Sequence, residues 1–204
     1  MSLVETDWLD QNLNDVKIID CSWHMPQTKR VGFEEYKKVH IPNAVFFDLD
    51  KNSKKKTSLP HMLVEKAEWE KIVSKMGIKN DDEIIIYDNS DVISSCRCWF
   101  NFIYFGHNSE MVHVLNGGLK KWIKEKRKIT KDLKKIEISE YKGLENKELI
   151  KNMKMIDQNI DTQEFKVIDA RSRERFEGKI PEPRKGLRSG NIKNSWCLPF
   201  NECL

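Results

Sequence analysis

Five cysteines carry the most reactive side chains of this chain: Cys21, Cys96, Cys98, Cys197 and Cys203. A thiolate can act as a nucleophile or bind a metal ion, and both uses need surroundings that lower the thiol pKa. No two of the five form a C-x-x-C pair, and the tripeptide Cys-Arg-Cys alone lacks the ligand spacing of a zinc site. We therefore predict reduced thiols, most of them inert, with no bound metal and no cofactor.

Arginines and one histidine offer a different chemistry. Arg175 and Arg184 lie in one polar stretch, and the planar fork of a guanidinium can hold a carboxylate or another anion through two hydrogen bonds. The alternative is a loop arginine paired with Glu177 or Glu182. His61 could move a proton near neutral pH, with a carboxylate to orient it. A histidine flanked by proline and methionine is as often structural, so both interpretations of His61 stay open.

The composition limits the class of protein. The 204 residues are 39% hydrophobic and include six Trp, nine Phe and four Tyr, which is enough apolar surface for a buried core. There is no run of about 18 apolar residues, so no transmembrane helix is predicted. The acidic start MSLVETDWLD lacks the apolar stretch of a secretory signal. The net charge is +4, but the lysines are scattered, which argues against a nucleic-acid surface. We expect a cytoplasmic protein with no nucleic-acid or membrane partner.

Short apolar runs alternate with segments of helical periodicity, and these elements must position the side chains named above. Strands are predicted over residues 16–21, 83–87 and 111–115, and helices over 65–76, 94–105 and 118–122. This alternation favours an α/β fold with a mostly parallel sheet flanked by helices. A Lys-rich stretch without clear periodicity follows, then a predicted helix over 146–160 and a strand over 165–170.

The chain contains an internal repeat with a period of about 150 residues. Asp20 ends the first apolar strand, and the segment HIPNA begins 20 residues later; Asp169 ends its counterpart, and NIKNS begins 22 residues later. Such a period indicates a duplicated domain. The predicted boundaries are a complete domain over 1–126, a linker over 127–145 and an incomplete second domain over 146–204.

Six phrases along the chain carry a family resemblance. They are IIDCSWHMP (18–26), HIPNAVFFDLD (40–50), LPHML (59–63), CRCWFNFIYFGH (96–107), VLNGGLKKW (114–122) and DARSRERFEGKIPEPRKGLRSGNI (169–192). In this order and spacing they resemble the two-domain rhodanese family, and more narrowly the 3-mercaptopyruvate/thiosulfate sulfurtransferases. The resemblance implies two rhodanese-like domains in tandem, with only the N-terminal part of the second one in this truncated chain.

The chemistry that the resemblance implies is transfer of a sulfane sulfur through a cysteine persulfide. The family's nucleophilic cysteine opens a loop between a strand and a helix of the second domain, where backbone N–H groups stabilise an anion. In the first domain the corresponding strand ends at Asp88, 68 residues after Asp20, and a carboxylate cannot accept sulfur. The same spacing from Asp169 places the nucleophile near position 237, so none of the five cysteines occupies that position.

Four residues match family positions with roles in binding or catalysis. The resemblance implies that Arg175 and Arg184 bind the anionic substrate, and that Asp50 and His61 work with a loop serine in activating mercaptopyruvate. The implied partners are a small anionic sulfur donor and thioredoxin or another thiol acceptor. A second chain that completes the C-terminal domain is an additional partner to consider.

Two classes of function remain open. The first is a sulfurtransferase that moves sulfur from thiosulfate or 3-mercaptopyruvate to a thiol or cyanide. A chain without the nucleophile loop is expected to be inactive alone, or to be one half of a split sulfurtransferase. The second class is a non-catalytic rhodanese-like binding or regulatory module, with which Asp88 at the first-domain strand end is consistent.

Overall fold

The chain folds into two units whose boundary follows Lys147. The computed structural model describes residues 2–184 and 186–203. Within these residues no helix is both long enough and apolar enough to cross a membrane.

A parallel five-stranded sheet forms the centre of the first unit. Its strands are β1 (Leu3–Val4), β2 (Lys17–Asp20), β3 (Ala44–Phe46), β4 (Ile84–Tyr87) and β5 (Val112–Leu115). They lie in the order β1-β5-β4-β2-β3, and each neighbouring pair is parallel. All four residues of β4 are buried, as expected for a central strand covered on both faces.

Helices cover both faces of this sheet. Ile84 and Ile86 belong to one apolar cluster, whereas Ile85 and Tyr87 belong to another, because successive side chains of a strand point to opposite faces. The first cluster includes side chains of α3 (Lys66–Lys75) and α4 (Ser95–Tyr104), and the second those of α1 (Thr6–Gln11), α2 (Gly32–Tyr36) and α5 (Gly118–Lys124). The predicted α/β fold, with a parallel sheet flanked by helices, is confirmed.

The segment predicted as a linker, residues 127–145, packs against the first unit. It contains no helix or strand in the structure as described. Tyr141 is buried, and its ring stacks on His107 with the centroids 5.8 Å apart. The Ser139 hydroxyl donates to the carbonyl of Ile78 at 2.5 Å. The first unit therefore extends to Lys147 instead of ending at residue 126.

The second unit has a smaller parallel sheet of two strands. These are β6 (Ile168–Asp169) and β7 (Trp196–Cys197), accompanied by α6 (Met153–Thr162) and α7 (Arg173–Phe176). The helix predicted over 146–160 begins later, at Met153, because the Asn152 side chain accepts from the Met155 N–H at 3.0 Å and caps it there. Single turns of 3-10 helix cover residues 147–149 and 200–203.

Both units contain the same turn after an equivalent strand. Asp20 ends β2, and its Oδ1 accepts from the N–H of Ser22 at 2.9 Å. Asp169 ends β6, and its Oδ1 accepts from the N–H of Arg171, also at 2.9 Å. The strand that pairs with each is parallel to it. The turn and the parallel strand pairing are therefore alike at the two positions that the sequence repeat aligns.

Candidate active site

Asp50 and His61 are hydrogen-bonded to each other. The distance from Asp50 Oδ1 to His61 Nε2 is 2.9 Å. The indole Nε1 of Trp23 donates to the other carboxylate oxygen at 3.0 Å, and its ring meets the imidazole edge-on with the centroids 4.9 Å apart. A carboxylate at Nε2 favours the tautomer that carries its proton there, which leaves Nδ1 able to accept a proton. The pair can therefore orient an imidazole for proton transfer.

The loop that carries His61 is held from two sides. His61 has a φ of 53°, in the left-handed region that glycine favours. The Arg97 guanidinium, from α4, donates through Nη2 to the His61 carbonyl. On the other side, the N–H of Lys54 donates to the carbonyl of Met62 at 2.8 Å. These contacts fix a backbone conformation that is costly for a residue with a Cβ.

A cleft of about 390 Å³ adjoins this pair. Its walls come from the segment that follows β2, from two loops and from α4, and most of the side chains that line it are apolar. The lining residues are Trp23, Leu49, Pro60, His61, Met62, Val92, Ile93, Ser94 and Arg97. Ile93 has a φ of 48°, unusual for a β-branched side chain. A mostly apolar cleft with a few convergent polar groups suits a small ligand.

The guanidinium of Arg97 is half-buried in the wall of this cleft. Burial lowers the pKa of Arg97. Its Nε atom is buried without a hydrogen-bond partner, and among the described residues it forms no ion pair with a carboxylate. Arg97 therefore places a positive charge beside the Asp50–His61 pair without a counter-ion of its own.

Asp88 fills the turn between β4 and α4. Its Oδ1 accepts from the N–H of Ser90 at 2.9 Å, and its Oδ2 accepts from the N–H of Ser95 at 2.7 Å. Ser95 is the first residue of α4, where a negative charge is stabilised by the helix dipole. The carboxylate of Asp88 thus occupies the amides that would otherwise be available to an anion in the first-domain loop.

A polar network around this turn was missed by the sequence analysis. Arg30 donates to both carboxylate oxygens of Glu35 at 2.7 Å and to the carbonyl of Asn89 at 3.1 Å. Asp91 lies 3.5 Å from Arg30 and 2.7 Å from Lys120. The Arg30 fork lowers the pKa of Glu35. The network holds the turn that follows Asp88 in place. It joins Arg30 to Asn89 and Asp91 to Lys120, pairs that are too far apart in sequence for spacing to predict.

Arg175, predicted to bind substrate, is paired with an acid in the second unit. Its Nη2 and Nε donate to the carboxylate of Glu182, which also accepts from Arg171 Nη1 at 2.7 Å. Arg175 first, and then Arg171, lowers the pKa of Glu182. The contact is the one expected for the alternative of a loop arginine paired with Glu182. The substrate-binding role stays a prediction, since an anionic ligand would compete with Glu182 for the guanidinium.

Arg184, the other predicted substrate ligand, is placed differently. It is exposed, and within residues 2–184 and 186–203 it forms no hydrogen bond or ion pair. The cleft beside Arg175, of about 610 Å³, is lined by Arg188 but not by Arg184. The structure therefore brings Arg175 to a cleft and leaves Arg184 on the surface.

The five cysteines are all unbridged and lie in unlike places. Cys21 and Cys98 are fully buried, and burial raises the pKa of Cys21 well above that of an ordinary thiol. Cys96 and Cys203 are exposed, and Cys197 lies half-buried in β7. In the part of the chain that the structure describes, no group of three or more His, Cys, Asp and Glu side chains could hold a metal ion.

Trp23 and Arg97 are site residues that the sequence analysis did not single out. The signal for Arg97 was a lone basic residue in an otherwise apolar helix, CRCWFNFIYF. A charge in such a segment needs a specific partner. Trp23 gave no comparable signal, because only the fold shows that its indole N–H reaches Asp50.

The comparisons with known proteins agree with this architecture. Residues 5–125 match the family of the rhodanese-like domain. The thiosulfate/3-mercaptopyruvate sulfurtransferase 1 of Arabidopsis thaliana is 40% identical over 97% of this chain, and the 3-mercaptopyruvate sulfurtransferase of Mus musculus is 33% identical over 100%. The crystal structure of SseA from Escherichia coli, a 3-mercaptopyruvate sulfotransferase, superposes with a TM-score of 0.89 at 28% identity.

These relatives are longer than the present sequence. The chain spans 58% of the length of the Arabidopsis protein and 70% of that of the mouse protein. The structural match covers all of this chain and 77% of the SseA chain. The identity to the mouse protein extends over the whole of this chain, so the second unit is included in it. The chain therefore belongs to the rhodanese family, among the relatives of the 3-mercaptopyruvate and thiosulfate sulfurtransferases.

Proposed function

We propose that this chain is part of a sulfurtransferase. The enzyme takes a sulfane sulfur from thiosulfate or 3-mercaptopyruvate and passes it to a thiol or to cyanide. A cysteine thiolate attacks the transferable sulfur of the donor. The bond from that sulfur to the rest of the donor breaks, and the rest leaves as sulfite from thiosulfate or as the enolate of pyruvate from 3-mercaptopyruvate. The resulting persulfide then gives its outer sulfur to the acceptor, and the thiolate is restored. The observation that carries the proposal is the Asp50–His61 hydrogen bond of 2.9 Å beside an apolar cleft.

Two sets of residues have proposed roles in this reaction, and each set lies within its own unit. A neutral His61 with its proton on Nε2 can accept or return a proton at Nδ1, while Asp50 and Trp23 hold the ring and the carboxylate in place. Protonation of the leaving enolate is the step that needs such a group. Arg175 would bind the anionic end of the donor, with Arg184 as a second predicted ligand.

The nucleophile is the part of the reaction that these 204 residues do not supply. None of their five cysteines stands at the position that the family resemblance assigns to it. We propose that the nucleophilic cysteine lies outside these 204 residues, and that the 204-residue polypeptide does not turn over without it. Thioredoxin or another small thiol protein is the proposed acceptor.

A thiocyanate assay with thiosulfate and cyanide tests this proposal. The 204-residue protein alone should form no thiocyanate above the uncatalysed rate. Turnover close to that of SseA that is abolished when one of the five cysteines is replaced by serine would overturn the assignment of the nucleophile.

Co-expression with the SseA segment that this chain does not match tests whether an added cysteine loop gives turnover. A complex that forms thiocyanate, and loses activity on His61→Gln, supports both the reaction and the role of the pair. A stable complex that remains inactive with both donors would sink the sulfurtransferase proposal.

A second candidate function is a non-catalytic binding or regulatory module. Asp88 favours it, since its carboxylate accepts from the N–H groups of Ser90 and Ser95, two of the amides that an anion in the first-domain loop would use. This function predicts a stable protein partner whose affinity does not change on Arg175→Lys or Arg184→Lys.

The unbridged state of all five cysteines supports a reducing compartment, and we propose the cytoplasm. Cell fractionation with an antibody to the chain tests that location.

A further inference from the structure

We propose that Arg97 is a positioning residue, which holds the main chain at His61 so that the imidazole faces Asp50. The inference deepens the proposed function, on which the catalytic use of the pair rests. The position of the ring can nevertheless be measured without any turnover, so the two proposals can fail separately.

The first argument is the contact itself. Arg97 lies on α4, 36 residues away from His61 along the chain, and its Nη2 donates to the His61 carbonyl. That carbonyl belongs to a residue with a φ of 53°, a conformation that persists only where the surroundings determine it. The orientation of the peptide group at His61 is therefore set by a side chain from the helix, and the imidazole projects from the same residue.

The second argument is that Arg97 is a poor stabilising residue. Its guanidinium is half-buried, its Nε has no hydrogen-bond partner, and no carboxylate among the described residues pairs with it. A half-buried cation loses part of its hydration and, without a counter-ion, gains no ion pair in return. Among the described residues, the hydrogen bond of Arg97 goes to the carbonyl of a candidate catalytic histidine. Proteins keep residues that add little stability mainly at functional sites. We therefore infer that Arg97 is kept for its effect on His61.

Packing is the competing explanation. The Arg97 guanidinium also lies over the ring of Phe100, 5.7 Å from its centroid, and its aliphatic stem covers apolar surface. A residue with only this role would affect the melting temperature and leave the Asp50–His61 hydrogen bond intact. A residue that acts only through its charge would affect His61 equally whether or not Asp50 carries a carboxylate.

The test follows the His61 ring nitrogens by ¹⁵N NMR in the 204-residue protein, at a pH where imidazoles are neutral. His61→Gln assigns the signal among the five histidines. In wild type the hydrogen bond to Asp50 should slow the exchange of the Nε2–H proton with water. We expect Arg97→Met to raise that exchange rate at least about two-fold while its melting temperature stays the same or rises. Arg97→Lys, which keeps one donor and the charge, should restore part of the protection.

A double-mutant cycle with Asp50→Asn separates positioning from charge. In wild type, Asp50→Asn should raise the exchange rate of the Nε2–H proton; in the Arg97→Met background its effect should be smaller. A wild-type exchange rate in Arg97→Met, or an equal effect of Asp50→Asn in both backgrounds, would overturn the proposal. If Arg97→Met does not fold, Arg97→Gln takes its place, with the same expected loss of protection and the same contradictory result. Lost protection with unchanged thiocyanate formation in the complex with the SseA segment would support positioning and refute the catalytic role of the pair.

Discussion

Asp20 and Asp169 each end the first strand of a pair in their own unit, but the pKa of Asp20 is raised and that of Asp169 is lowered. Each Oδ1 accepts from the backbone N–H two residues later. Asp20 is 1% exposed, and in the described structure no cation pairs with it, so burial raises its pKa to about 6. Asp169 is held by the Arg171 guanidinium, which lowers its pKa. One backbone motif thus accommodates both a desolvated acid and an ion-paired carboxylate.

The residues beside these acids show the same contrast. Ile19 precedes Asp20 and is fully buried, whereas Ile168 precedes Asp169 and is 58% exposed. Around Asp169 the contacts are ionic: Arg171 binds Asp169 and Glu182, and Arg175 binds Glu182. Within the described residues, therefore, the acid that ends the strand lies in an apolar core in the first unit and among charge pairs in the second.

The largest expected effect comes from the two matched isoleucines. Ile19→Ala removes a buried side chain from a packed core and should lower the free energy of unfolding by about 2–5 kcal/mol. Ile168→Ala, at the equivalent position, should cost less than about 1 kcal/mol because the side chain is largely solvated. Urea unfolding of both variants checks this. Equal losses would mean that the two units do not differ in the proposed way.

The pH dependence of stability should differ in sign at the two acids. The pKa of Asp20 is about 6 in the folded state and near 3.8 without burial. The unfolded chain therefore ionises first, and stability falls by up to about 3 kcal/mol as the pH rises from 4 to 6. Asp20→Asn removes this loss, so its stability relative to wild type should increase over that range, as measured by urea unfolding at each pH.

Asp169→Asn is the matched control for that experiment. The pKa of Asp169 is lowered, so its contribution to stability is present above the ordinary Asp pKa and is lost as the pH falls. The variant should be less stable than wild type at pH 7, and the difference should shrink in acid. A gain in stability at pH 7 from Asp169→Asn would show that the Arg171 ion pair does not outweigh desolvation.

The smallest expected effect is that of making the second turn like the first. Arg171→Ser introduces the residue type found at Ser22 and removes the ion pairs to Asp169 and Glu182. We expect a loss of about 1 kcal/mol, since these groups are partly solvated. Arg173→Ser, which removes a more exposed pair with Glu202, is the control and should leave the unfolding free energy unchanged within error. The reverse order of effects would contradict the comparison.

The central strands could be predicted from the sequence because they are buried on both faces. β4 (IIIY) is therefore a continuous apolar run, and β2 (KIID) has two buried isoleucines at its centre; the observed bounds of both lie within one residue of those predicted. Strand β1 has only two residues, too few for any periodicity, and it exists because it pairs with β5. The predicted linker lacked periodicity for a different reason, since it packs through single side chains such as Tyr141.

The candidate site could be predicted only in part. Asp50 and His61 were paired by family resemblance, and their hydrogen bond is present, although their catalytic role stays a prediction. The contacts of Trp23 and Arg97 depend on loops that meet above the sheet, and nothing in sequence spacing brings residues 36 positions apart together. Pairing of Arg175 with Glu182 was one of two alternatives, which local sequence could not separate.

Anion binding at Arg175 is the central claim that one measurement tests most directly. Thiosulfate is titrated into the ¹⁵N-labelled 204-residue protein, and the guanidinium signals of Arg175 and Arg173 are followed. Arg173 serves as the internal control because it is also paired with a glutamate. The account predicts a saturable shift at Arg175 that is stronger in Glu182→Gln, where the competing carboxylate is gone, and no saturable shift at Arg173. An unchanged Arg175 signal in both proteins would contradict it.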